Sequence, residues 1–255
     1  MNNKTAKQIL TTYRIKCVLI GLAYAVGVAL LCLIMNKSLF IGIAGIVVLA
    51  ASVKAPYDKI TETDLESIIY EDLDPEKFNE ILSLGAFKKS VRHQVLGAMS
   101  AGDHARVLEL TAASEKTTID PIEICNNLYR RGAVYFERGE YEKLTEINKQ
   151  FEKLKAKNSK ISYVFNNFTV FDKFDAFADE DYEYVVEVCE IDLKENSPKK
   201  QNHKMTKINV SFYRAVALYK LERYDEAKTA FEEIIEFAPK MYKAKLSKEF
   251  LNLIK

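Results

Sequence analysis

Residues 128–144 read Leu-Tyr-Arg-Arg-Gly-Ala-Val-Tyr-Phe-Glu-Arg-Gly-Glu-Tyr-Glu-Lys-Leu, and this stretch decides the fold. Leu128, Gly132 and Tyr135 recur at helical spacing, Gly139 interrupts them, and Tyr141 and Leu144 restart the pattern. A period near 3.6 on both sides of a glycine is a helix, a tight turn and a second helix, since glycine alone enters the left-handed region without steric cost. Gly132 leaves room for a second helix to approach, and Tyr135 and Tyr141 are large enough to fill the space between neighbours. From Ala86 onward apolar positions keep this spacing with almost no strand-like alternation, so the expected fold class is all-α.

The same arrangement recurs. Near the C-terminus Ala215, Leu218, Tyr224, Ala227, Phe231 and Pro239 stand on corresponding positions. Residues 88–114 offer Gly102 at the turn, then His104 and Val107. Residues 166–195 offer Asp179-Glu180-Asp181 as the turn, then Tyr182, Val185 and Cys189. The equivalent positions Val107, Leu144, Val185 and Ala227 lie 37, 41 and 42 residues apart. This spacing of large apolar, small, aromatic and turn residues resembles the tetratricopeptide repeat (TPR). The standard repeat is about 34 residues, so loops near Ser159 and at Asn196–Asn202 would carry the excess. The sequence also departs from the family at Glu222, which replaces the turn glycine, and at Leu144 and Asn148, which replace the usual alanine and aromatic. Residues 88–255 are read as TPR-like repeats closed by a capping helix from Lys240, and residues 54–87 as a connector with a divergent helical pair. In that pair Asp74 caps a helix starting at Pro75.

The resemblance implies that the first helix of each repeat lines a concave face that binds proteins. Transferred in register, this face holds Asn126, Tyr129 and Phe136 in the second copy. It holds Asn167, Phe174 and Phe177 in the third, and Asn209, Phe212 and Tyr219 in the fourth. An asparagine amide can both donate to and accept from a peptide backbone, and exposed rings supply anchoring area. The competing reading is that an aromatic stripe at helical spacing is core.

Two apolar runs, Cys17–Met35 and Leu39–Val53, precede this domain, separated only by Asn36, Lys37 and Ser38. The first has about the 20 residues that a membrane span requires, while the second is short and spans with local thinning or snorkelling. The sequence therefore predicts a basic lead-in at 1–16 and a two-span transmembrane hairpin at 17–53, touching lipid. Residues 1–53 hold five of the 37 basic side chains and no acid, which leaves 32 basic against 36 acidic residues downstream. Four of those five precede the first span, placing both termini in the cytoplasm by the positive-inside rule, and residue usage points to a bacterial cell membrane. A cleaved signal peptide is the competing reading. Small residues at Ala23 and Gly27, and at Gly21, Ala25 and Ala29, permit close helix packing within the hairpin or in a homo-oligomer.

Little in the sequence points to chemistry. A mildly acidic domain with interspersed signs has no footprint for nucleic acid. There is no phosphate-binding, dinucleotide-binding or nucleophile-elbow motif. His93, His104 and His203 are scattered, and the four cysteines lack metal spacing. The expectation is a non-enzymatic, cofactor-free and metal-free protein, a membrane-anchored scaffold or adaptor that binds another protein. Alternatives are a non-catalytic subunit of a larger secretion, transport or envelope-assembly complex, and an enzyme whose site lies hidden in residues 160–205.

Overall fold

The computed structural model describes residues 5–35, 65–86, 90–159, 161, 169–195 and 204–254. The second apolar run at Leu39–Val53, Asn167, His203 and the loop at Asn196–Asn202 lie outside these residues. Among the described residues, secondary structure is helical throughout.

Helix α1 (Ala6–Met35) carries the first apolar run. From Ala6 the expected lead-in and the first span form one continuous helix. Its first turns dock on the domain: Ala6 and Leu10 are buried, and the Arg14 guanidinium donates to the Leu84 carbonyl at 3.3 Å. From Ile15 the large apolar side chains turn outward, Val18, Leu22, Val26, Leu30 and Leu33 among them. Among the described residues α1 is the one helix long and apolar enough to cross a membrane. Of the expected two-span hairpin, the first run is a candidate span, and the second lies outside the described residues.

The domain is a run of helical pairs. Residues 65–70 are helical, here α2, and pair with α3 (Pro75–Ser83). Then come α4 (Val91–Ala101) with α5 (His104–Glu115), and α6 (Pro121–Glu137) with α7 (Glu142–Lys157). Next are α8 (Val170–Ala178) with α9 (Tyr182–Glu195), α10 (Lys204–Lys220) with α11 (Tyr224–Phe237), and α12 (Tyr242–Leu253). The caps explain several starts. Asp74, Asp103 and Asp120 accept from the Lys77, Arg106 and Ile122 amides, with Pro75 and Pro121 opening their helices.

One backbone feature fixes the repeat register. Each pair is joined through a residue at positive φ: Leu73 at 53°, Gly102 at 79°, Gly139 at 70°, Glu180 at 60° and Glu222 at 58°. Two positions on stand Pro75, His104, Tyr141, Tyr182 and Tyr224. Glu180 and Glu222 adopt the conformation of the turn glycines, so the turn is imposed by the packing of its two helices rather than by residue type.

Consecutive helices pack as neighbours, and the array then closes, with α12 returning to contact α4. Gly102 makes the approach possible, since a Cβ there would fall 2.3 Å from the Tyr242 ring. Within the array, Gly132 does the same for Phe174, whose Cε2 would lie 2.3 Å from an added Cβ.

Candidate partner-binding face

Closure decides the fate of the expected groove. Phe136, Phe174, Phe177 and Phe212 are 2%, 0%, 0% and 1% exposed. The Phe136 ring meets Phe177 and Tyr213 edge-on, each at 4.6 Å between centroids, and Phe212 at 6.2 Å. These four rings, expected on an open concave surface, are core instead. The first helices of successive repeats lie close enough to bury one another's inner faces, at about 1.5–3 kcal/mol per large apolar side chain. Of the other expected groove residues, Asn126, Tyr129, Asn209 and Tyr219 are half-buried, and Asn167 lies outside the described residues. Asn209 Oδ1 is buried without a hydrogen-bond partner among the described residues. Tyr219 packs edge-on against Phe250 of α12 at 5.2 Å.

Two elements of the chain cover what remains of this face. One is α12. Its Phe250 stacks on Phe231 at 5.0 Å, and its Lys243 ammonium pairs with the Glu137 carboxylate at the end of α6. His104 Nε2 lies 2.9 Å from the other Glu137 oxygen and its ring meets Tyr242 edge-on. Burial alone would push the Glu137 carboxyl up, but Lys243 and the His104 hydrogen bond outweigh it and hold the group below the usual carboxylate range. The three side chains tie α5, α6 and α12 together.

The other is the segment 65–74. Leu65, Ile68, Ile69 and Leu73 are buried in the main core. Glu66 Oε1 lies 3.0 Å from both Arg92 and His93 on α4. Lys204, at the start of α10, donates to the Glu71 carbonyl at 3.0 Å. Asp74 pairs with Lys240 ahead of α12 at 2.6 Å. Burial raises the Tyr70 hydroxyl, Glu66 adds to this, and Arg92 and Arg130 oppose it. Tyr129 is pushed up to about 12 by burial, with Glu137 and Tyr70 adding.

Groups with chemical potential elsewhere are held in structural roles. Ser90 Oγ lies 2.6 Å from His93 Nδ1, completing a Ser90–His93–Glu66 chain, but the imidazole is 3% exposed and the chain fastens α4 to residues 65–74. Lys173, buried on α8, reaches Asp192 and Thr169 at 2.5 Å and ties α8 to α9. Burial raises the Cys125 thiol to about 11 and Cys189 to about 12, which suppresses the nucleophilic thiolate. Among the described residues no group of three or more His, Cys, Asp or Glu is placed to hold a metal ion.

The clasp of Glu137, Lys243 and His104 and the docking of residues 65–74 escaped sequence reasoning. One signal was visible in each: a lone acid, Glu137, closing the apolar run Ala133–Phe136, and four acids without a base in residues 65–74. No curated protein and no solved structure matches this chain. Residues 209–241, from within α10 through α11 to the residue before α12, match the family model of the tetratricopeptide repeat, a unit that generally mediates protein–protein interactions.

Proposed function

We propose that this protein is a membrane-anchored, TPR-like scaffold that binds another protein at the cytoplasmic face of the membrane and performs no catalysis itself. One observation carries the reading. A helix with outward-facing apolar side chains from Ile15 to Leu33 runs unbroken from turns docked on a helical domain, and residues 209–241 of that domain match a protein-interaction repeat. The burial of Ala6 and Leu10 and the bond from Arg14 favour a retained anchor over a cleaved leader, because cleavage would strip those contacts from α3. The second span at Leu39–Val53 and the cytoplasmic placement of both ends belong to this proposal and rest on apolar length and on the basic residues ahead of the first span.

Anchoring works through local concentration, since a partner confined to the same membrane meets the domain in a near-intramolecular encounter. The test is affinity capture in mild detergent with the full-length protein beside a form lacking residues 1–53, with intact mass of the mature chain. An uncleaved chain, with the same proteins returning on both baits, supports a scaffold whose domain binds and whose helix sets location. Loss of α1 from the mature protein removes the anchor, and partners seen only with the full-length chain move the contact to the membrane segment.

A further inference from the structure

We propose that the inner face of the repeat array is a groove for an acidic amphipathic helix, and that residues 65–74 are its resident, displaceable occupant. The inference rests on the partner-binding reading above and adds to it the class of partner and the means of regulation.

A member of a linear repeat stack touches only its neighbours. Residues 65–74 instead reach three separate places: α4 through Glu66, the start of α10 through Glu71, and the segment before α12 through Asp74. The segment reads Leu-Glu-Ser-Ile-Ile-Tyr-Glu-Asp-Leu-Asp. Its buried Leu65, Ile68 and Ile69 stand at i, i+3 and i+4, the spacing with which a helix lies in an apolar groove, and Leu73 is buried at the turn that follows. Of its four acids, with no base among them, Glu66 pairs with Arg92 and Asp74 with Lys240, while Lys204 holds the Glu71 carbonyl. The sign and spacing of the occupant define the ligand: an acidic helix with the same apolar stripe.

Displacement does not require the array to come apart. The first helices are joined to one another by Phe136, Phe177 and Tyr213, and α12 is fastened to α6 by Lys243 and Glu137, none of which belongs to residues 65–74. Some of the polar anchors are also soft. The Lys240 side chain is 52% exposed, so its pair with Asp74 is screened by solvent and salt. The occupant is held largely because it is tethered, at high local concentration, to the site it fills.

The experiment uses the full-length protein in detergent and a fluorescein-labelled peptide copying residues 61–76. Two variants loosen the resident segment, Glu66→Gln with Asp74→Asn, and Ile69→Ser. Hydrogen exchange should show residues 65–74 losing protection in both while α6 and α10 keep theirs. Both variants should then bind the peptide about tenfold more tightly than the unaltered protein, which its own segment blocks. Affinity should fall as salt rises from about 50 to 300 mM, and a scrambled peptide should not bind. Loss of protection in α6 and α10 together with 65–74 would make the segment ordinary core and overturn the proposal. So would an opened segment with no peptide bound, and a salt-independent affinity would overturn the acidic-helix assignment. Peptide capture without any copurifying cellular protein leaves the groove standing and removes the scaffold reading, whereas cellular partners that still bind when the peptide does not remove the groove alone.

Discussion

Replacing Gly132 by alanine tests the packing on which the closed array depends, and the structure sets both sides of the balance. In the interior of α6, alanine gains about 1 kcal/mol over glycine in helix propensity. Against this, the new Cβ would lie 2.3, 2.8 and 3.1 Å from Cε2, Cδ2 and Cζ of Phe174, where carbon contacts settle near 3.5–4.0 Å. The ring would have to move by about 1 Å. It is fully buried and boxed edge-on by Phe171 and Tyr213, each at 6.1 Å. Overpacking of this kind costs about 2–3 kcal/mol, for a net loss of about 1–2 kcal/mol. Phe174→Leu alone costs about 1–2 kcal/mol through its cavity. In that background Gly132→Ala meets no ring and should become neutral or stabilising by up to about 1 kcal/mol. The assay is denaturant unfolding of the four proteins in detergent, followed by tyrosine fluorescence, which the 14 tyrosines and absence of tryptophan make readable. Equal destabilisation by Gly132→Ala in both backgrounds would refute the reasoning, because the cost could not then arise at the Phe174 contact.

Other substitutions read other parts of the fold. Glu222→Gly should stabilise by about 0.5–1 kcal/mol, since a residue other than glycine at positive φ costs about 1–2 kcal/mol and glycine returns part of this as unfolded-chain entropy; a lowered unfolding midpoint would contradict the imposed turn. Glu137→Gln should cost about 3 kcal/mol by leaving the Lys243 ammonium buried without its counter-charge. Because the folded Glu137 pKa lies below its unfolded value, the stability it lends is complete above about pH 4.3 and is lost as pH falls through the depressed value; the gap between wild type and Glu137→Gln should therefore close in acid, as read from denaturation midpoints. Asp74→Ala should cost about 1 kcal/mol for the lost cap, and Asp74→Asn distinctly less, because asparagine caps as well and only the charge on Lys240 is lost.

The helices and their register were legible because they follow from local chemistry. Asp74 with Pro75, and the turns at Gly102 and Gly139, announce themselves by residue type, and counting from them places Glu180 and Glu222 where type alone fails. The groove was not legible, for a physical reason. Phe136, Phe174, Phe177 and Phe212 form the same stripe whether they face a ligand or one another, and what separates the two outcomes is the curvature of the array. Curvature accumulates from small rotations at each interface, such as the close contact that Gly132 permits, and leaves no pattern along the chain. The pairs that complete the closure, Lys243 with Glu137 and Lys240 with Asp74, join residues more than a hundred positions apart.

Helix α3 is the element that joins α1 to residues 65–74. On one side it receives α1, through Ala6, Leu10 and the bond from Arg14 to Leu84; at its other end Asp74 caps it and pairs with Lys240. Residues 65–74 and α3 are joined by the single strained turn at Leu73, so the segment cannot leave the groove without disturbing the cap of the helix on which α1 rests. Linkage then runs in both directions: whatever displaces residues 65–74 must loosen the docking of α1, and whatever strengthens that docking must hold residues 65–74 in place. Truncating buried Leu10 and its partly buried neighbour Ile9, which also packs against the core, as Leu10→Ala with Ile9→Ala, leaves the groove-lining residues untouched. On this argument it should raise peptide affinity in the same assay, though by less than Ile69→Ser does. An affinity unchanged by Leu10 and Ile9, while hydrogen exchange reports α1 released from α3, would show that the two ends of α3 act independently and that the membrane helix only holds the domain in place.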